Sequence, residues 1–377
     1  MGYVAVKGGT SAIEESLKRI QYERVKQKTV LDIGEIEGGM RGLIDQVMSE
    51  SSLYSETLAA VAIKQAEGSP EEAVFLMRAY RSTLPRKHYT RTAVSEQMHV
   101  ERRISASFKD IPGGQILGAS TDYSHRLLDF DLIDETEAAV SEWLIAFEHG
   151  DDSGQQNREQ DTDLARVPKV LDYLRKEGLV ADCPVDVREP DDVTRKSLAF
   201  PASRSQKLQI LTRGQTGTVT SLAYAVIRGY GAVHPTVGEL RVGRLPMYID
   251  NPLHAMGDED DAYYIGDIKV TEVEMLVPVS VNKEKGRKEL ELEFGYGLCF
   301  GQNETKAIAM SILDKSLERG DRSIPTQNEE FVLYHIDSVE STGFISHLKM
   351  PHYVTFQSKL SDVRKTKQIQ TEQPQEV

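Results

Sequence analysis

Arginines, lysines and carboxylates are concentrated between residues 101 and 130. The polar residues of interest there are Arg102, Arg103, Lys109, Asp110, Asp122, His125, Arg126 and Asp129. Guanidinium groups bind phosphate oxygens through paired hydrogen bonds, and the turn Pro112-Gly113-Gly114 can expose backbone N–H groups to an anion. The segment could therefore hold a triphosphate. The alternative is a strand with exposed charges followed by a purely structural turn.

Two later segments combine glycines with polar side chains. Arg204 precedes the run Arg228-Gly229-Tyr230-Gly231, and His234 and Glu239 follow it. Gly295-Tyr296-Gly297 ends a predicted strand just before a predicted helix, where N–H groups can meet an anion. The alternative for that run is a tight turn from strand to helix. Neither segment matches a Walker or dinucleotide-binding motif, so residue types alone indicate an anion site only weakly.

His347 and His352 lie five residues apart with Pro351 between them. This spacing does not place both rings on one helix face, and the proline argues against a continuous helix. A helix end that turns into a loop could still bring both imidazoles to one metal ion. Two ligands do not close a zinc site, so a partner chain, a substrate or water would complete it. Two unrelated polar histidines are the alternative.

Composition limits the classes of protein to consider. The net charge of −14 argues against general nucleic-acid binding, although a local anion pocket remains compatible with it. The two cysteines cannot form a disulfide framework, a zinc site made only of thiolates or a cluster site held by this chain alone. No apolar run is long enough to span a bilayer, and no signal peptide is evident. We therefore expect a cytoplasmic protein that binds neither nucleic acid nor membrane.

Hydrophobic periodicity predicts an α+β fold, in which a helical N-terminal region precedes mixed sheet regions with packed helices. A helix is predicted over 33–48, a strand over 290–300 and a helix over 304–317, and a short strand is expected over residues 1–7. The predicted regions are 1–95 (mainly helical), 96–235 (central α/β, with an exposed loop near 150–163), 236–365 (α+β, with the histidine pair) and 366–377 (a frayed polar tail).

Several of these segments together resemble one family, subunit I of the carbon–phosphorus lyase core complex. The segments that carry the resemblance are Tyr3 to Gly9, Glu101 to Ala106, Lys109 to Gln115, His125 to Phe130, Arg228 to Gly231 with His234-Pro235, Gly295 to Leu298, and Ser346 to Val354. They occur in the family's order and cover residues 2 to about 357. Segments 148–166 and 281–290 depart from the family pattern without touching these motifs.

The resemblance implies a reaction and a set of partners. The family's enzyme displaces the purine base of ATP or GTP by an alkylphosphonate, which yields alpha-D-ribose 1-methylphosphonate 5-triphosphate, and a subunit alone resembles a nucleosidase. The implied partners are subunits G and H, the radical subunit J and the ATPase-like subunit L, around a homodimer of this chain. The histidine pair matches a zinc site at a subunit interface, which favours metal binding by His347 and His352.

Physical chemistry assigns roles to the residues of these motifs. An oxocarbenium-like state at the anomeric carbon is stabilised by a carboxylate, and the departing purine takes a proton from an acid. The predicted catalytic residues are Asp129, His125, Asp110, Asp122 and Glu239. The predicted triphosphate and phosphonate ligands are Arg102, Arg103, Lys109, Arg126, Arg204, Arg228 and His234.

Two other functions remain open at the level of sequence. The chain could be a scaffold subunit that docks the radical subunit while other subunits do the chemistry. A stand-alone metallohydrolase is less favoured, because the histidine pair has no third ligand nearby in the sequence. The preferred phosphonate and purine, the residue that protonates the base, the order of the strands and the role of zinc are not determined by the sequence.

Overall fold

The computed structural model describes residues 9–150, 168–181, 188–230, 234–253, 261–282 and 288–372. These residues form α-helices and a four-stranded antiparallel sheet, which confirms the predicted α+β class. The helices are α1 (Gly9–Val25), α2 (Ile33–Gly39), α3 (Arg41–Ser51), α4 (Glu56–Gln65), α5 (Pro70–Thr83), α6 (Glu137–Gly150), α7 (Val170–Lys176), α8 (Arg204–Arg213), α9 (Thr216–Ala225), α10 (Glu304–Arg319), α11 (Glu329–His335), α12 (Ser338–Ser346) and α13 (Tyr353–Glu372). The strands are β1 (His99–Ile104), β2 (Thr236–Asp250), β3 (Ala262–Asn282) and β4 (Lys288–Phe300).

The chain forms two compact units, each assembled from separate segments. The first comprises Met1–Thr83, Arg213–Gln215 and Leu333–Val377, and the second comprises Leu84–Thr212 and Thr216–Val332. Within the described ranges, no helix combines the length and apolarity that crossing a membrane requires. The strand predicted over residues 1–7 and nearly all of the loop predicted near 150–163 lie outside the described residues.

Apolar faces of α2 to α5 form the core of the first unit. Ile36, Val47, Met48 and Val74 are completely or almost completely buried there. The single helix predicted over 33–48 is wrong, because α2 ends at Gly39 and α3 begins at Arg41. The glycines around this break have low helix propensity, so a short interruption costs little.

A bidentate ion pair joins the C-terminal part of the first unit to its N-terminal helices. Nη1 of Arg78, on α5, donates to both carboxylate oxygens of Asp337 at 2.8 and 2.7 Å. Asp337 also caps α12 by accepting from the backbone N–H of Val339 at 2.9 Å. The same guanidinium donates to the carbonyl of Glu50 at the end of α3. One arginine therefore fixes three helices of this unit.

The four strands of the second unit are ordered β1-β2-β3-β4, and all neighbours are antiparallel. Arg241 of β2 lies opposite Arg103 of β1 and Glu272 of β3. Glu274 of β3 lies opposite Tyr296 of β4. Directly opposed residues on antiparallel strands project to the same face, so these charged side chains share one face of the sheet.

The opposite face of the sheet packs against α10. A Cβ atom added to Gly295 or Gly297 would lie 2.0 Å from a backbone carbonyl oxygen of that helix, of Ser311 and Ala307 respectively. These glycines therefore permit a close approach between β4 and α10, rather than presenting N–H groups to an anion. The following turn, at Gly301, has φ of 68° and leads directly into the helix. This result favours the structural alternative for the glycine-rich run.

Two further elements differ from the sequence-based expectation. The described part of the tail predicted to be frayed is helical, because α13 continues to Glu372. Lys367, Gln368, Gln370 and Glu372 are good helix formers, so the helix continues although this part of the tail has a single apolar residue, Ile369. Helix α6 has no counterpart among the predicted elements.

Candidate functional site

Arg102 and Arg103 project to opposite faces of the sheet, since successive strand residues alternate in direction. Arg102 pairs with Asp122, with Glu304 at 3.0 Å and with the carbonyl of Leu117. Both arginine side chains are buried. The two predicted phosphate ligands therefore do not converge on one anion, and carboxylates already neutralise both of them.

Arg103 holds the Pro-Gly-Gly turn through the backbone carbonyl groups of that turn. Its guanidinium donates to Glu239 and to the carbonyl oxygen of Pro112, and also to the carbonyl of Pro168 at 3.1 Å. Gly113 and Gly114 adopt φ values of 78° and 73°, as a tight turn requires. The turn is thus tied to the charged face of the sheet through the guanidinium of Arg103. The N–H of Gly114 donates to the carbonyl of Ile111 at 2.9 Å, so it is not presented to an anion.

A network of buried charges continues from Glu239 across the sheet. Glu239 accepts from the backbone N–H of Val170 at 3.0 Å, at the start of α7. Lys169 contacts Glu272 at 2.9 Å and Glu274 at 3.3 Å. Each of these acidic groups is nearly inaccessible to solvent, so each needs a paired cation or a hydrogen bond to remain charged.

Arg241 and Tyr296 complete the contacts of Glu272. Arg241 donates to Oε2 of Glu272 from Nε at 3.0 Å, and a second guanidinium nitrogen donates to the same oxygen. The hydroxyl of Tyr296 donates to Oε1 at 2.9 Å. Burial and the adjacent carboxylate raise the pKa of that hydroxyl well above its usual value, which keeps it a proton donor. We call Arg103, Lys169, Glu239, Arg241, Glu272, Glu274 and Tyr296 the buried charge network.

The two glutamates of β3 have opposite acidities. Burial alone would raise the pKa of Glu272, but the charges of Arg241 and Lys169 outweigh it and lower that pKa to about 2. Burial dominates at Glu274 and raises its pKa to about 7, with Lys169 opposing the shift and Glu272 adding to it. Within the described part of the chain, Oε2 of Glu274 is buried without a hydrogen-bond partner.

A carboxyl group that titrates near neutrality can donate or accept a proton at physiological pH. Its raised pKa distinguishes Glu274 from Glu272, which the charges of Arg241 and Lys169 keep ionised. Neither Glu272, Glu274 nor Lys169 was predicted as a site residue. The sequence does contain a signal for them, because two glutamates alternate with Val273 and Met275 on one strand and would need buried partners.

Most of the remaining predicted site residues lie on exposed surface. Lys109, Asp110, His125, Arg126, Asp129, Arg228 and His234 are exposed. Arg204 pairs with Asp314 at 2.9 Å and with Glu318 at 2.6 Å. The structure thus brings Arg102 to Asp122 and Arg103 to Glu239, but it does not gather the whole predicted set into one pocket.

His347 and His352 lie close together in the first unit, at the end of α12 and before α13. Their ring centroids are 5.4 Å apart. Nδ1 of His347 donates to the carbonyl of Phe344, and Nδ1 of His352 donates to the carbonyl of Met350 at 2.6 Å. In the neutral ring, a proton on Nδ1 leaves Nε2 as the acceptor nitrogen.

This arrangement fits a metal-binding pair. Histidine ligands commonly donate their other ring nitrogen to a backbone carbonyl, which fixes the tautomer and the ring orientation. Across the described segments, no group of three or more histidine, cysteine, aspartate or glutamate side chains is arranged to hold a metal ion. The pair could therefore provide two ligands, and the others would come from outside this part of the chain.

Comparison with known proteins yields matches along almost the whole chain. The family model described as "Bacterial phosphonate metabolism protein (PhnI)" matches residues 2–370. A protein of Rhizobium meliloti named alpha-D-ribose 1-methylphosphonate 5-triphosphate synthase subunit PhnI is 40% identical over 376 residues, covering 96% of this chain and 94% of the relative. A protein of Escherichia coli with the same name is 40% identical over 375 residues, covering 98% of this chain and 99% of the relative.

Proposed function

The chain belongs to the family of the bacterial phosphonate metabolism protein (PhnI), and from this membership we propose that it is a subunit of an alpha-D-ribose 1-methylphosphonate 5-triphosphate synthase. The observation that carries the proposal is the similarity to two proteins so named, which extends over nearly the full length of each chain. Its partners would then be the subunits G, H, J and L implied by the sequence motifs, with a homodimer of this chain at the centre.

The proposed reaction is a displacement at the anomeric carbon of a purine nucleoside triphosphate. A phosphonate oxygen forms the new bond to C1 of the ribose, while the bond from C1 to the purine nitrogen breaks. The electron pair leaves with the base, which takes up a proton from an acid. When water replaces the phosphonate as the nucleophile, the same site is a nucleosidase and releases ribose 5-triphosphate with free base.

The charged side chains that surround β1 support a role in this chemistry. Asp122 lies beside Arg102, and the exposed His125 and Asp129 follow within a few residues. A carboxylate at this position can stabilise an oxocarbenium-like state, and the imidazole can supply a proton. Arg126 and Lys109 are exposed and therefore accessible to a triphosphate. The buried charge network would hold the Pro-Gly-Gly turn that follows Lys109, through the contact of Arg103 with Pro112.

The histidine pair supports a zinc site as a further part of the proposal. Nε2 of His347 and of His352 would bind the ion, and the Nδ1 hydrogen bonds of both rings would orient them for it. Bound there, a zinc ion would link this chain to the chain that supplies its other ligands. We propose that a partner subunit, in this case the radical subunit J, provides the remaining ligands.

A scaffold role is the second candidate function, and one observation favours it. Large apolar side chains beside the histidine pair are mostly exposed, including Phe344, Ile345, Leu348 and Tyr353. Soluble monomers rarely expose a large apolar patch, so this surface fits a docking site for another subunit. In this alternative the chain would hold the radical subunit in place while other subunits perform the displacement.

Chromatography of reaction mixtures separates the candidates. The purified chain is incubated with ATP or GTP, first alone and then with its partner subunits and methylphosphonate. Free base from the chain alone would locate the nucleosidase here, and a ribose phosphonate product with partners would establish the full reaction. A folded chain that releases no base in either mixture would favour the scaffold. Base release that requires added zinc would instead favour a metal-dependent hydrolase.

A further inference from the structure

Residues 121–149 form a long segment of the second unit whose side chains are exposed throughout. Several of these side chains are large and apolar, which is unusual for a segment without a buried face. Leu127 and Leu128 are each 82% exposed, and Ile133 is 75% exposed. The start of the segment contacts strand β1, where Asp122 pairs with the buried Arg102. We call residues 121–149 the acidic arm.

Helix α6, at the end of the acidic arm, carries an apolar stripe with regular spacing. Val140, Trp143, Leu144 and Phe147 stand at positions i, i+3, i+4 and i+7, so they share one face of the helix. The rings of Trp143 and Phe147 stack with centroids 5.2 Å apart and an interplanar angle of 14°. All four side chains are exposed, Trp143 by 62%. This pattern is the one that amphipathic helices use when they bind in an apolar groove.

The acidic arm carries strong negative charge around this stripe. Arg126 is its only arginine or lysine, whereas its carboxylates are Asp122, Asp129, Asp131, Asp134, Glu135, Glu137, Glu142 and Glu148. At 100° per residue, Glu137 and Glu148 border the apolar stripe on one side. A groove that receives this helix should therefore present lysine or arginine side chains beside its apolar floor.

The exposed apolar side chains of the acidic arm include three large aromatic rings. Fully buried aromatic side chains each remove about 150–250 Å² from water, and Trp143, Phe147 and Phe130 are all more than half exposed. The exposed leucines and isoleucines of the acidic arm add to this apolar surface, and a specific interface needs about 800 Å² from each partner.

We propose that α6 binds in an apolar groove, flanked by lysine or arginine side chains, on a different protein subunit of the same assembly. A second copy of this chain fits less well, because it carries a net charge of −14 and the same acidic arm. The inference rests on the proposed function only in that a synthase subunit has partner subunits to bind. It does not require that this chain carry out the displacement.

Site-specific photo-crosslinking tests the proposal in the full chain, co-expressed with the other subunits of its assembly. Benzoylphenylalanine replaces Trp143, and in a control it replaces Leu253, which is 87% exposed and lies outside the acidic arm. We expect the probe at 143 to crosslink to another subunit, at a peptide containing lysine or arginine, and the probe at 253 not to do so. Crosslinks between two copies of this chain, or none at 143 in an assembled complex, would overturn the proposal.

Substitutions on α6 give an independent measurement. W143S/F147S and the charge reversal E137K/E148K should each reduce the share of chain in the assembly at least tenfold by size-exclusion chromatography, while L253S should assemble normally. Circular dichroism confirms that each variant is folded. W143S/F147S that assembles like the wild type would contradict the proposal.

Base release by the isolated wild-type chain is measured in parallel with these binding experiments. Absence of base release would count against the proposed catalytic function alone, whereas the crosslinking result would still decide the role of α6.

Discussion

Arg241 and Glu272 lie directly opposite each other on neighbouring antiparallel strands, and both side chains are buried. Glu272 receives two hydrogen bonds from this arginine, one from Tyr296 and one from Lys169. The carboxylate therefore remains ionised inside the protein. Its environment shows that the centre of the sheet is built on charge pairing rather than on apolar packing alone.

Arg241→Met should destabilise the fold, because it leaves the charge of Glu272 without its main partner. Removing one member of a buried pair costs about 3–5 kcal/mol, which urea denaturation can measure. Arg244→Met is the matched control, since that arginine is half exposed in its pair with Glu101 and should change stability by under about 1 kcal/mol. A loss no larger than that of the control would show that Arg241 is not needed to keep Glu272 charged.

Glu274→Gln should change the dependence of stability on pH. The pKa of Glu274 is about 7 in the folded chain, against an ordinary value of 4.5. The folded state therefore binds more protons between these values, so wild-type stability should fall as pH rises through this window. Glutamine does not titrate, so the variant lacks this pH-dependent loss of stability. Its stability relative to wild type should therefore increase from pH 5 to pH 8.

Urea denaturation midpoints of wild type and variant at both pH values provide the measurement. Glu291→Gln, on the half-buried part of β4, controls for the loss of a carboxylate elsewhere in the sheet. If the denaturation midpoints of Glu274→Gln and wild type differ by the same amount at pH 5 and at pH 8, the pKa of Glu274 is not raised.

Gly297→Ala should weaken the contact between β4 and α10. The new methyl group would lie 2.0 Å from the carbonyl oxygen of Ala307, so the helix must shift. Overpacking of this kind costs about 1–3 kcal/mol or more, measured as a lower melting temperature. Gly217→Ala, in α9, meets no atom within 4 Å and should be neutral or slightly stabilising. Equal melting temperatures for the two variants would argue against the close approach.

His347→Ala/His352→Ala should abolish zinc binding by this chain within its assembly. Both acceptor nitrogens of the pair are removed, while the half-buried position of the rings limits the effect on folding. Zinc content is measured by inductively coupled plasma mass spectrometry on the purified complex. His88→Ala, at an exposed histidine, is the control and should keep its zinc. Normal zinc content in the double variant would refute this site.

Asp129→Asn and His125→Gln should slow base release by the isolated chain. Loss of a proton donor typically lowers the rate about 10²–10⁴-fold, and loss of a stabilising carboxylate acts in the same direction. Both residues are exposed, so neither change should unfold the protein. Asp131→Asn, in the short 3-10 helix that Asp129 caps, is the control. The assignment is wrong if both variants release base at the wild-type rate.

Much of the local structure follows from the sequence by itself. The helix over 304–317 and the strand over 290–300 were predicted and are present as α10 and β4, because apolar periodicity and turn residues act over a few neighbouring positions. The family follows from motifs spread along the chain. The break at Met40 was missed, because helix propensity alone does not decide between a weak helix and two short ones.

Only the tertiary structure decided which charges meet. Arg103 and Glu239 are 136 residues apart in sequence and form a buried pair, whereas the adjacent Arg102 faces the other side of the sheet. The raised pKa of Glu274 arises from its burial and from the adjacent Glu272, against the opposing charge of Lys169, and no local pattern encodes that burial. The sequence thus determined the secondary-structure elements and which charged side chains are available. The strand order determined the partners, because pairing between distant strands depends on how the whole chain packs.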